Sequence, residues 1–69
     1  MTKETFNLLT KGNKVVTIKP IQLSYGKYIP KGTTGILYDN HPDIHSRMVV
    51  FKNFGTQFIR YDEVDEVHK

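Results

Sequence analysis

Turn signals, more than any helical period, constrain what this chain can become. Lys11-Gly12-Asn13, Pro30-Lys31-Gly32 and Asn53-Phe54-Gly55-Thr56 each combine residues that fix a bend or tolerate positive φ. They recur too closely to leave room for long helices. The stretches between them are short and rich in β-branched and aromatic residues. Lys14 to Lys19 (KVVTIK), Thr34 to Asp39 (TGILYD), Arg47 to Lys52 (RMVVFK) and Gln57 to Tyr61 (QFIRY) therefore read as strands. Pro20 cannot donate to a ladder, so it ends the first of them or places it at an edge. RMVVFK is apolar on both faces, the pattern of a central strand covered on two sides.

The remaining segments are less regular. Phe6, Leu8 and Leu9 form one face of a short helix or lie on an early strand. Ile21 to Ile29 is a long connection holding Leu23, Tyr25, Gly26 and Tyr28. Asp39 to Ser46 is polar, contains Pro42 and reads as a loop. Asp62 to Val67 (DEVDEV) repeats every three residues, so Val64 and Val67 share one side of a 3-10 turn or begin a fifth strand.

With 69 residues the chain supports one core. A domain of this size hides only about 60% of the surface its unfolded chain exposes. It has no cysteine, hence no disulfide and no thiolate metal site. That fits a cytoplasmic location. No early apolar run resembles a signal peptide, Met1 suggests a complete gene product, and Met48 to Phe51 is far too short to span a bilayer. The expectation is a mostly β, single domain over 1–69, with 1–11 an arm or short helix and 12–67 a small barrel of four to five short antiparallel strands. Closure would remove the exposed edges of so small a sheet. The candidate core is Val16, Ile18, Ile36, Val50, Phe58, Ile59, Val64 and Val67, with Leu37, Met48 and Phe51 as further members. An open four-stranded sheet capped by an N-terminal helix is the alternative.

The order of signals carries a resemblance. KVVTIK precedes a long loop. Then come Pro30-Lys31-Gly32-Thr33-Thr34-Gly35-Ile36-Leu37, a polar loop, Val49-Val50-Phe51, a hairpin, Phe58-Ile59 and Asp62-Glu63-Val64. From Gly12 to Val67 this resembles the small SH3-like barrels of bacterial and bacteriophage proteins. The resemblance implies an SH3-like barrel, a 3-10 turn near the C-terminus, and binding of peptides, proteins or nucleic acids through loops and one barrel face. It implies no chemistry. The chain has no tryptophan and its long loop has no acidic cluster, so proline-rich peptides are not the expected ligand.

Charge is unevenly spread. Residues 1–31 hold six lysines and the single acid Glu4, whereas 61–69 hold four acids and Lys69. Such polarity either orients the protein on a charged partner or lets the two ends attract each other within the fold.

Catalytic patterns are missing. There is no thiol nucleophile, and neither Ser24 nor Ser46 sits in a G-x-S-x-G turn. The chain is expected not to be an enzyme and to need no cofactor. Asp39, His41, Asp43 and His45 alternate, which makes His41 and His45 weak metal candidates, although Pro42 interrupts any regular extended run. Lys31 to Gly35 has the residue types of a phosphate loop without the P-loop spacing, and a strand follows it.

Binding is what remains. Tyr25, Lys27, Tyr28 and Lys31 from the long loop, with Phe54 from the hairpin, are the expected contact surface for a larger protein. On this reading the chain is a small regulator or inhibitor, in keeping with the bacteriophage resemblance. The alternative is single-stranded DNA or RNA, held by Lys19, Tyr25, Tyr28, Arg47, Lys52 and Arg60. Self-association through the N-terminal arm is a further expectation.

Overall fold

The computed structural model describes residues 2–38 and 46–67. A helix α1 (Lys3–Leu8) is followed by strands β1 (Lys14–Thr17), β2 (Ile21–Gln22), β3 (Tyr28–Ile29), β4 (Thr34–Leu37), β5 (Ser46–Phe51), β6 (Gly55–Arg60) and β7 (Val64–Glu66). A lone 3-10 turn, Ser24–Gly26, joins β2 to β3. The turn near the C-terminus is of a different kind, because Val64–Glu66 extends and pairs with β1.

All strand pairs are antiparallel. Five strands form one curled sheet in the order β6-β5-β4-β1-β7, and β2 with β3 makes a separate two-stranded arm. The sheet is a half-barrel. Its concave face is covered by α1 and by the arm. Helix α1 is too short to be stable alone. Thr2 caps its start, with Thr2 Oγ1 accepting from Thr5 N at 3.1 Å. What holds the helix is Phe6, and just past its end Leu9, both buried in the core.

The core consists of Phe6, Leu9, Val15, Ile21, Ile29, Leu37, Val49, Phe51, Ile59 and Val64, with Leu23, Phe54 and Tyr61 packed against it. Leu37, Phe51, Ile59 and Val64 match the sequence expectation. Val16, Ile36, Val50, Phe58 and Met48 do not: they lie on the convex face, with Val16, Val50 and Met48 half-buried, while Ile18 past the end of β1 is exposed and Val67 is half-buried. A strand shows opposite faces to alternate residues, so choosing the wrong phase moves a whole set. Where both phases are apolar, the sequence pattern could not choose.

Two side chains show why this phase wins. Thr17 points inward because its hydroxyl has partners there: Oγ1 donates to Pro30 O at 2.8 Å and accepts from Thr33 N at 2.9 Å. Thr17 N donates to Thr33 O at 2.9 Å and Gly32 N donates to Thr17 O at 2.8 Å. This clasp pins the turn between β3 and β4 to the end of β1. Gly35 also faces inward, opposite Phe51. A Cβ there would lie 2.5 Å from Val49 Cγ1 and 2.8 Å from Phe51 Cε1, so only glycine lets these strands close over the core.

Candidate binding surfaces

Among the described residues, the convex face of the sheet carries a cluster of exposed and half-buried apolar side chains. Ile36 on β4 pairs with Val50 on β5, and Met48 on β5 pairs with Phe58 on β6. Tyr38 N donates to Met48 O at 2.8 Å, which brings Tyr38 into the same row as Met48 and Phe58. Exposure reaches 45% for Ile36, 54% for Tyr38 and 68% for Phe58. Around β4, β5 and β6 the surroundings are mostly cationic, whereas exposed Asp65 lies beside Val16 at the β7 side. Lys11 Nζ sits 4.7 Å from the Tyr38 ring centroid. Lys14 faces out beside Ile36, Arg60 faces out two residues from Phe58, and Lys52 is exposed at the turn after β5. Arg60 is also 3.7 Å from Asp62.

The β2–β3 arm carries the second surface. Tyr25, at its tip, is 99% exposed and has φ +62°, ψ +32°. A tyrosine seldom adopts this left-handed conformation, and holding it costs on the order of 1–2 kcal/mol. Gly26 beside it has φ +75°. Lys27, Tyr28 and Lys31 are exposed as well, although Lys31 sits on the neighbouring turn that Thr17 clasps. Phe54 is half-buried against the core and lines a hollow with Leu23, Ser24 and Lys27, so it does not stand out at the hairpin tip.

Of the residues expected on nucleic acid, Lys19, Lys52 and Arg60 are exposed, but Arg47 is not. Arg47 is completely buried, with Nη1 donating to Phe6 O at 2.8 Å, and it cannot reach a phosphate. The phosphate-loop pattern is also accounted for: the N–H groups of Gly32 and Thr33 are engaged by Thr17. His41 and His45, with Asp39 and Asp43, lie outside the described residues. Among the described residues no His, Cys, Asp and Glu cluster is placed to hold a metal, and no helix is long and apolar enough to cross a membrane.

Between the arm and the edge of the sheet runs an open groove of about 540 Å³. Ile21, Gln22, Leu23 and Ser24 form one wall. Gln57, Phe58, Ile59 and Arg60 of β6 form the other, with Ser46 and Glu63 at the margin. The groove shares Leu23, Ser24 and Gln57 with the hollow of about 290 Å³ that Lys27 and Phe54 line.

Sequence reasoning points to the arm but passes over the convex face and the groove. The signal for the first is present in RMVVFK, whose two apolar faces ask for two covers. The groove has no sequence signal, since it lies between β2 and β6, which belong to different sheets and do not pair. Comparison of the chain with protein-family models, with curated proteins and with solved structures finds no match.

Proposed function

We propose that the protein is a non-enzymatic binding module, a small regulator or inhibitor that contacts a larger protein. The convex face carries this reading. β5 has the apolar pattern of a strand covered on both sides, and among the described residues the fold buries one face and leaves the other half-buried. Ile36, Tyr38, Met48, Val50 and Phe58 form a contiguous apolar centre inside a polar rim, the anatomy of a protein interface. The rim cations Lys11, Lys14, Lys52 and Arg60 favour an acidic partner over a second copy, which would set like charges against each other. Tyr25, Lys27, Tyr28 and Lys31 on the arm provide a second contact. The resemblance to phage-type barrels supports a bacterial machine as the target.

Single-stranded nucleic acid is the second reading. Tyr38 and Phe58, exposed on one row of a cationic sheet, favour it, because bases stack on such aromatics. The aliphatic share of the face favours protein.

A pull-down from bacterial lysate, with and without nuclease, tests both readings. Wild type is compared with Ile36→Ser/Phe58→Ser and with Tyr25→Ala/Tyr28→Ala. A discrete protein that survives nuclease and is lost with the first variant is the expected result. Recovery of nucleic acid, with binding that falls log-linearly as salt rises, would replace the protein reading with the second.

A further inference from the structure

We infer that the groove between β6 and the β2–β3 arm is an acceptor site for one extended, acidic peptide segment, which adds to β6 as a strand. The inference rests on the protein-binding reading and assigns to it a second site, which meets the convex face at Phe58.

The direction of the main-chain groups is the first ground. β6 pairs with β5 alone among the described residues. Tyr38 N donates to Met48 O, so Met48 directs its main-chain groups at β4. Along a strand these groups alternate sides. Arg47, Val49 and Phe51 therefore serve β6, through their partners Ile59, Gln57 and Gly55. Thr56, Phe58 and Arg60 direct theirs at the open edge. Arg60 is closed off, since its N–H donates to Glu63 Oε1 at 2.8 Å and its carbonyl accepts from Glu63 N at 3.1 Å. That contact blunts one end of the edge, a usual protection of exposed strands. Thr56 and Phe58 remain, offering two N–H and two C=O groups at strand spacing. Only another extended backbone matches that set.

The arm decides which kind of backbone fits. β2 pairs with β3 alone, and no residue of β3 lines the groove. A strand placed beside β6 therefore has β2 on its other side. A second copy of this chain cannot enter by its β6, because that strand already carries its own β5. A single peptide segment can. Its residues would alternate between Phe58 on the convex side and Ile59, Ile21 and Leu23 on the inner side.

Charge selects among peptides. At the arm end the lining includes Lys27 and no acidic side chain, and exposed Lys52 is the neighbour of Asn53 there. At the other end Glu63 is the one acid, and its carboxylate is engaged by Arg60 N–H. An acidic residue at the Lys27 end complements this lining.

The test is selection of displayed random linear peptides on the intact protein, with binding then measured on Thr56→Pro, Phe58→Pro and Thr56→Ser. Proline removes the edge-facing N–H and no N–H of the ladder to β5; Phe58→Pro also removes the ring, so Thr56→Pro is the variant that isolates the edge. Selected peptides should carry alternating apolar residues and an acid. They should bind both proline variants at least tenfold more weakly and Thr56→Ser as wild type. Hydrogen exchange of the Thr56 and Phe58 amides in the wild-type protein should slow at least tenfold when the peptide binds. This readout decides the matter if the proline variants fail to fold. Absence of any selected peptide, equal binding to the proline variants, or unchanged exchange at both amides would overturn the proposal. A lysate partner that is lost with Ile36→Ser/Phe58→Ser, together with selected peptides that bind Thr56→Pro as they bind wild type, would overturn it while leaving the protein-binding reading intact.

Discussion

Arg47 Nη1 lies 2.8 Å from the main-chain oxygen of Phe6, and both residues are completely buried. The guanidinium carbon is also 5.8 Å from the Phe6 ring centroid. One side chain of β5 thus holds the last turn of α1 by its carbonyl and by its ring. The contact spans most of the chain. It makes the N-terminal segment part of the core.

Removing that side chain should loosen the helix. Arg47→Ala is expected to cost about 3 kcal/mol, from a cavity and a buried carbonyl that loses a donor. Arg47→Met, which keeps most of the volume and removes the desolvated charge, should cost less. Urea denaturation midpoints order the two. Equal loss would show that the hydrogen bond dominates and the packing matters little.

Gly35 should not accept a methyl group. Gly35→Ala would place Cβ 2.5 Å from Val49 Cγ1 and force β4 and β5 apart. The expected loss is about 1–3 kcal/mol. A melting temperature equal to wild type would mean that Val49 and Phe51 repack freely.

The Thr17 clasp should be worth more than its size suggests. Thr17→Val keeps the shape but leaves Thr33 N–H without its partner. About 1–2 kcal/mol should be lost by chemical denaturation, with faster amide exchange at Thr33. Unchanged exchange at Thr33 would show that water replaces the hydroxyl.

Tyr25 should be replaceable with a gain in stability. Its positive φ suits glycine or asparagine, and its side chain touches little. Tyr25→Asn should raise stability by about 0.5–1 kcal/mol, as relief of a left-handed β-carbon predicts. If partner binding weakens in the same variant, the strain serves recognition and not folding.

The convex face should separate folding from binding. Phe58→Ser removes an aromatic that is 68% exposed, so thermal stability should change by less than about 0.5 kcal/mol. Partner capture should fall steeply. A large drop in melting temperature would instead place Phe58 in the stabilising core.

The strands, the turns between them and the polarity of charge are legible in the sequence, because β-branched runs and Gly/Pro turns act over a few residues. The run KVVTIK and the run RMVVFK each contain a strand, and neither says which face is inside. Val15 and Thr17, not Val16 and Ile18, face the core because Pro30 and Thr33 wait there for the Thr17 hydroxyl. Arg47 is buried because Phe6, far off in sequence, presents a carbonyl to it. The arm at Ile21 to Ile29 hides a hairpin too short for any period to reveal. Local propensity therefore determined that this chain extends, bends and pairs. Only the tertiary structure decided which apolar face was covered, which cation was buried and which strand edge stayed open. Those outcomes depend on partners distant in sequence, and no window of neighbouring residues contains them.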